Sequence, residues 1–424
     1  MSRDFIIKGD ICWSRDKSTL LSFSDHYLIC TDGISQGVFE KIPDKYTGLK
    51  VIDYSGMLVI PGLCDLHLHA SQYAFRALYT DTELLSWLNN HAFPEEGRFK
   101  DLEYAKKAYE IFAGDIRAGA TTRACVFSTI HAGATEILMD CLEKTGMIAY
   151  VGKVNMDRNS PDYLTEESAA RAASDTEKWI TRCEGRCERI KPILTPRFIP
   201  ACSDELMKLL KEIQVKHDLP VQSHLSENRN EIEWVQELCP DAEFYADAYD
   251  RFGLFGGGVK TVMAHCVGSD DREIERIRER GVFIAHCPQS NENLASGIAP
   301  VRTFLDKGVK TGLGSDIAGG AHESIFRAMT DAIQVSKLRW RLIDEGLKPL
   351  SFEEAFYLGT KGGGEFFGFA GGFDEGFEFD AVVIDDSGLR HPQKLTCRER
   401  LERAVYLSGN ENIAHKFVFG SMLF

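Results

Sequence analysis

Short apolar runs alternate with longer stretches in which apolar residues recur at i, i+3 and i+4. In order, the runs are MLVIPGLCDLHLH, ATTRACVFST, MIAYVGKVNM, RIKPILTPRF, LPVQSHLSE, KTVMAHC, VFIAHCPQSN and VKTGLGSD. The helical rhythm is clear in LEYAKKAYEIFAGDIRAG (102–119), SDELMKLLKEIQVKHD (203–218) and REIERIRERG (272–281). Ser203 is placed to cap the start of the second stretch, and Gly119 and Gly281 to end the other two. Eight strand–helix units predict an α/β chain folded as a (β/α)8 TIM-type barrel over residues 62–370. Both ends are β-type: DFIIKGDICW and YLICTDG near the start, FDAVVIDD and KFVFGSMLF near the end. They predict one small composite domain, a β-sandwich, made from residues 1–61 and 371–424.

Composition narrows the classes of partner. The 424 residues are 44% hydrophobic and 27% charged, with a net charge of -15. That balance speaks against a nucleic-acid partner and against anionic membranes. The start, MSRDFIIKGD, lacks a signal-peptide pattern, and no apolar run approaches the ~18 residues of a membrane span. A cytoplasmic protein is expected. Twelve cysteines are too scattered to read as a disulfide framework, and Cys183 and Cys187 read as free thiols.

The polar residues interrupt the apolar runs at one recurrent place, the C-terminal end, which is the catalytic face of such a barrel. His67 and His69 end the first run, two apart, so that in a strand they project to one side. Arg197 and Phe198 end the fourth, and His224 the fifth, with Glu227 expected one helical turn on. His265 ends the sixth, His286 the seventh and Asp316 the eighth. Any one of them has an ordinary structural explanation; their gathering on one face does not. Three histidines and an aspartate suffice to hold one zinc and leave a position for water.

PGLCDLHLHASQYAF, TPRF, QSHLSEN, MAHC, AHCPQSN and GLGSDIAGG together resemble the ordered motifs of the amidohydrolase superfamily, metal-dependent hydrolases. Within it they are most similar to the guanine deaminases, as are DTELLSWLNNHAFPEEGRF and MDRNSPDY. The resemblance covers nearly the whole chain. It implies one Zn2+ per subunit, with iron as the alternative, held by His67, His69, His224 and Asp316. It implies Glu227 as proton shuttle, with His265 and Asp316 as its catalytic partners, and Gln72, Arg197, Phe198 and His265 against the purine. His286 matches a family motif and is given a structural role. Binuclear relatives use a carboxylated lysine near the end of the fourth strand; here Lys191 lies towards the strand start, which favours one metal.

The implied reaction is hydrolysis of guanine to xanthine and ammonia, carried out by a homodimer. The other zinc deaminase design needs a PCxxC motif, which this chain lacks. Two rival readings stand beside this one. The first is a related amidohydrolase acting on another heterocycle, such as an 8-oxopurine, a triazine or an adenosine-type nucleoside. The second is a catalytically inactive barrel that serves as an assembly module.

Overall fold

The computed structural model describes residues 3–424. The chain opens with β1 (Phe5–Asp16), β2 (Thr19–Thr31), β3 (Ile34–Phe39) and β4 (Lys50–Pro61). The central strands are β5 (Leu63–His69), β6 (Thr121–Phe127), β7 (Ile148–Gly152), β8 (Val154–Asn155), β9 (Ile190–Pro192), β10 (Thr195–Pro196), β11 (Val221–Leu225), β12 (Thr261–His265), β13 (Phe283–His286) and β14 (Thr311–Leu313). The chain closes with β15 (Ala381–Ile384), β16 (Ile413–Val418) and β17 (Ser421–Met422).

The central strands form two parallel four-stranded sheets, β5-β6-β7-β9 and β11-β12-β13-β14, with β8 and β10 paired beside them. Every residue of β5, β6, β11 and β12 is buried, which is why these strands read as apolar runs rather than as alternation. The two sheets meet along two seams. On one, Leu194 bridges Val221 in parallel. On the other, Asp316 N donates to His67 O and His69 N to Ile317 O, each at 2.9 Å. Gly314 permits that second approach, since a Cβ there would lie 3.0 Å from His67 Cβ. The three helices expected from periodicity span Leu102–Ala118, Asp204–His217 and Asp271–Arg280, and Ser203 caps the second by accepting from Leu206 N.

The run MLVIPGLCDLHLH is not one strand. Its first part ends β4 and its second is β5, with Gly62 between them packed so closely that a Cβ would fall 2.1 Å from Thr122 Oγ1. The terminal segments, expected as a β-sandwich, are hydrogen-bonded into one mixed seven-stranded sheet in the order β17-β16-β15-β4-β1-β2-β3. The antiparallel β4–β15 pairing joins the two ends of the chain. Among the described residues, no helix is long and apolar enough to cross a membrane.

A buried ion pair ties the terminal sheet to the central strands. Arg123 on β6 donates from Nε to Asp380 Oδ2 at 2.6 Å and from Nη2 to Glu378 Oε2 at 2.7 Å. Asp380 also accepts from Thr122 Oγ1 and Phe419 N. Asp380→Ala leaves the buried guanidinium short of its main partner, so a loss of about 3 kcal/mol is expected. Urea unfolding of the variant measures it, and an unchanged midpoint would show that the joint contributes nothing to stability.

Candidate active site

His67 and His69 share one face of β5, as strand alternation requires. His224 comes from β11, His265 from the end of β12, and Asp316 from the bend after β14. The seams described above bring them together. His69 Nε2 lies 3.1 Å from His224 Nε2. Asp316 Oδ1 lies 3.2 Å from His67 Nε2 and 3.6 Å from His69 Nε2, and Oδ2 lies 3.7 Å from His265 Nε2. In two triads, His67/His69/His224 and His67/His265/Asp316, the donor atoms all fall within 4.8 Å of one another.

The electrostatics of this cluster suit a cation. Burial, and then the neighbouring His67, hold the His69 and His224 imidazoles well below their usual pKa, so both are neutral donors. Burial opposes ionisation of Asp316, yet His67, His265 and His69 hold its carboxyl well below the usual range. The Nε2 atoms of His67 and His265 are buried and make no hydrogen bond. His224 Nδ1 is 2.6 Å from Arg197 O, which fixes its Nε2 towards the cluster. One carboxylate among buried imidazoles, with His69 and His224 neutral, is a donor set that fits a zinc-like divalent ion.

The backbone around the cluster is strained. Ser226 (φ 48°), His265 (φ 75°), Cys266 (φ 51°) and Asp316 (φ 45°) are left-handed without being glycine. Such residues cost of order 1–3 kcal/mol each and gather where function over-determines the chain. Asp65 clamps the first and last central strands: it accepts from His67 N at 3.2 Å and Ser315 N at 3.0 Å, and burial pushes its carboxyl up to about 7.

Glu227 is not one helical turn beyond its strand. It lies in the bend itself, between the left-handed Ser226 and Asn228, which caps the helix Arg229–Leu238. It is buried rather than solvated, and its Oε2 stands 3.4 Å from His265 Nε2. Burial first, and then the charge of Asp316, raise its carboxyl well above the usual range. Glu231 secures the bend by accepting from Glu227 N at 3.0 Å and Asn228 N at 3.3 Å, while Tyr245 donates to it at 2.8 Å. His265 Nδ1 meets Asn291 Oδ1 at 2.9 Å, and burial pushes the imidazole down to about 4.

A pocket opens over the cluster. Its wall runs from His69, His224, His265 and Asp316 past Glu227 to Gln72, Arg197 and Phe198, and is completed by apolar Leu84, Trp87 and Leu88. Phe198 meets Trp234 edge-on at 6.2 Å between centroids. Arg197 makes no surface salt bridge; it is buried, bidentate on Glu96, with its guanidinium 4.9 Å from the centre of the Phe93 ring. His67, buried within the cluster, does not line the pocket. His286 lies outside it, fully buried, with neither ring nitrogen hydrogen-bonded and its pKa pushed by burial to about 3. Lys191, exposed on β9, turns to Cys187 O at 3.3 Å.

Sequence reasoning passed over Asp65, Glu96, Glu231 and Asn291. Asp65, Glu96 and Asn291 lie inside the quoted motifs PGLCDLHLHASQYAF, DTELLSWLNNHAFPEEGRF and AHCPQSN, and Glu231 three residues beyond QSHLSEN, but nothing local separates a buried acid from an exposed one.

Residues 58–423 match the amidohydrolase family. The chain belongs to that family. This amidohydrolase is 38% identical over 407 residues to guanine deaminase of Dictyostelium discoideum, covering 94% of this chain and 87% of that protein. It is 35% identical to guanine deaminase of Escherichia coli K12, covering 91% and 86%. Among solved structures, guanine deaminase from C. acetobutylicum, with guanine bound in its active site, superposes with a TM-score of 0.96 at 45% identity, covering 99% of this chain and 100% of that one.

Proposed function

We propose that this amidohydrolase is a guanine deaminase that converts guanine and water to xanthine and ammonia in purine catabolism. One observation carries the reading: His69, His224 and Asp316 share the wall of a single pocket with Gln72, Arg197 and Phe198. The full-length likeness to guanine deaminases, one of them solved with guanine bound, agrees with it. Ammonia release from guanine, measured beside the metal content of the purified protein, tests it; a metal-loaded protein that releases none would refute it.

His67, His69, His224 and Asp316 would hold one zinc ion. When bound, zinc supplies a Lewis acid that lowers the pKa of water towards ~7. Asp316, held anionic, accepts a proton from the attacking water. His265, tied to Asn291 at Nδ1, steadies that water with Nε2 between Glu227 and Asp316. Glu227, whose carboxyl is pushed up towards the protonated form by burial and the charge of Asp316, gives a proton to ring N3 and later moves one to the departing amine. Phe198 offers an apolar face to the ring.

For attack at C2, that edge of guanine faces the metal and the O6/N7 edge faces the far wall. Both atoms are acceptors, which suits Arg197. Arg197→Gln is expected to cost guanine about 1.5–3 kcal/mol in kcat/KM, the range for a hydrogen bond to a charged group. Turnover of 2-aminopurine, which lacks O6, should change far less. An equal fall for both would mean that Arg197 positions the site generally.

We further read residues 62–370 as one closed (β/α)8 barrel, supported by its two seams, and residues 1–61 with 371–424 as one composite β domain. Twelve free, buried cysteines favour a reducing, cytoplasmic setting. Exposed Leu338, Leu342 and Ile343, at the end of one helix, favour a homodimer.

A further inference from the structure

Glu96 is a carboxylate with no solvent exposure, no place in the pocket wall and no part in the cluster of metal donors. Burying such a charge is costly unless it is paired and hydrogen-bonded. Here the charge is paired and three of its roughly four lone-pair sites are used. Oε2 accepts from Arg197 Nη1 at 2.6 Å, and Oε1 accepts from Arg197 Nη2 at 3.0 Å and from Gln72 Nε2 at 2.8 Å. The donors come from separate parts of the chain. Gln72 lies in the turn after β5 and Arg197 follows β10, while Glu96 stands on the helix Phe93–Gly97.

The hydrogen count shows what this leaves for a ligand. A guanidinium carries five N–H hydrogens, and end-on pairing uses one on each Nη. The Nε–H and one hydrogen on each Nη remain. Gln72 Oε1 accepts from Ala318 N at 3.0 Å, and one of its amide hydrogens goes to Glu96, so one remains. The carboxamide cannot flip, because its oxygen would then face Glu96 and its NH2 would face the Ala318 N–H. The guanidinium cannot swing without breaking two charge-assisted hydrogen bonds.

The geometry points to Glu96 as the specificity-determining positioning residue: by holding Arg197 and Gln72 in one orientation, it makes the far wall a donor surface that accepts purines with an acceptor at C6 and rejects those with a 6-amino group. The inference rests on the guanine deaminase reading. A donor wall loses its partner, and meets a second donor, when O6 is replaced by NH2.

The test compares guanine with 2,6-diaminopurine, which keeps the reacting 2-amino group and carries NH2 in place of O6. In the metal-loaded Glu96→Gln variant, KM for guanine should rise about 10–100-fold while kcat falls much less, the range expected for a lost charge-assisted hydrogen bond. The kcat/KM ratio of guanine to 2,6-diaminopurine should collapse at least tenfold, with metal content unchanged. Because Glu96 acts through Arg197 and Gln72, adding Glu96→Gln to the double variant Arg197→Gln/Gln72→Ala should lower guanine kcat/KM no further. If Glu96→Gln does not fold, Glu96→Asp, which keeps the charge but withdraws it by one methylene, is read by the same ratio. An unchanged ratio, or a further loss in the triple variant, would overturn the inference. Absence of guanine turnover in the wild-type protein would instead overturn the functional reading beneath it.

Discussion

His224→Ala is expected to deplete the bound metal and to lower guanine turnover on the order of 10³-fold or more, since a metal Lewis acid supplies several kcal/mol to such a hydrolysis. His224 is neutral, buried and oriented by Arg197 O, and its Nε2 faces that of His69. Removing it leaves His67, His69 and Asp316 with one nitrogen donor fewer than the full set. Metal analysis of the purified variant measures the first effect and ammonia release the second. Full occupancy with normal turnover would take His224 off the ligand set. Chelation of the wild-type protein should abolish activity, and added zinc should restore it.

Glu227→Gln is expected to retain metal and fold while losing about 10²–10⁴ in rate, the usual contribution of a positioned general acid–base. The amide keeps the shape of the side chain and some of its hydrogen bonding, so the bend between Ser226 and Asn228 is undisturbed. What it cannot do is give a proton to ring N3 and later move one to the departing amine. The raised pKa of Glu227, the nearby His265 and the support from Glu231 all suit that task. Single-turnover kinetics on guanine, with metal content measured in parallel, decide it. Unchanged turnover would place the shuttle on another residue.

Much of this was legible in the sequence by itself. The order of strands and helices followed from hydrophobic periodicity, because each element buries its own face and so writes its period locally. The candidate donors were legible because polar residues stood at the ends of apolar runs, at His67, His69, His224, His265 and Asp316. Only the tertiary structure decided the rest. It split MLVIPGLCDLHLH at Gly62, through close packing on Thr122. It drew the terminal strands into one mixed sheet, through the pairing of β4 with β15. It moved Glu227 from a helix into a left-handed bend. It turned Arg197 inward onto Glu96, a partner 101 positions away. Periodicity reports which face of an element is apolar, whereas the fate of a buried charge depends on a partner that folding brings from elsewhere in the chain.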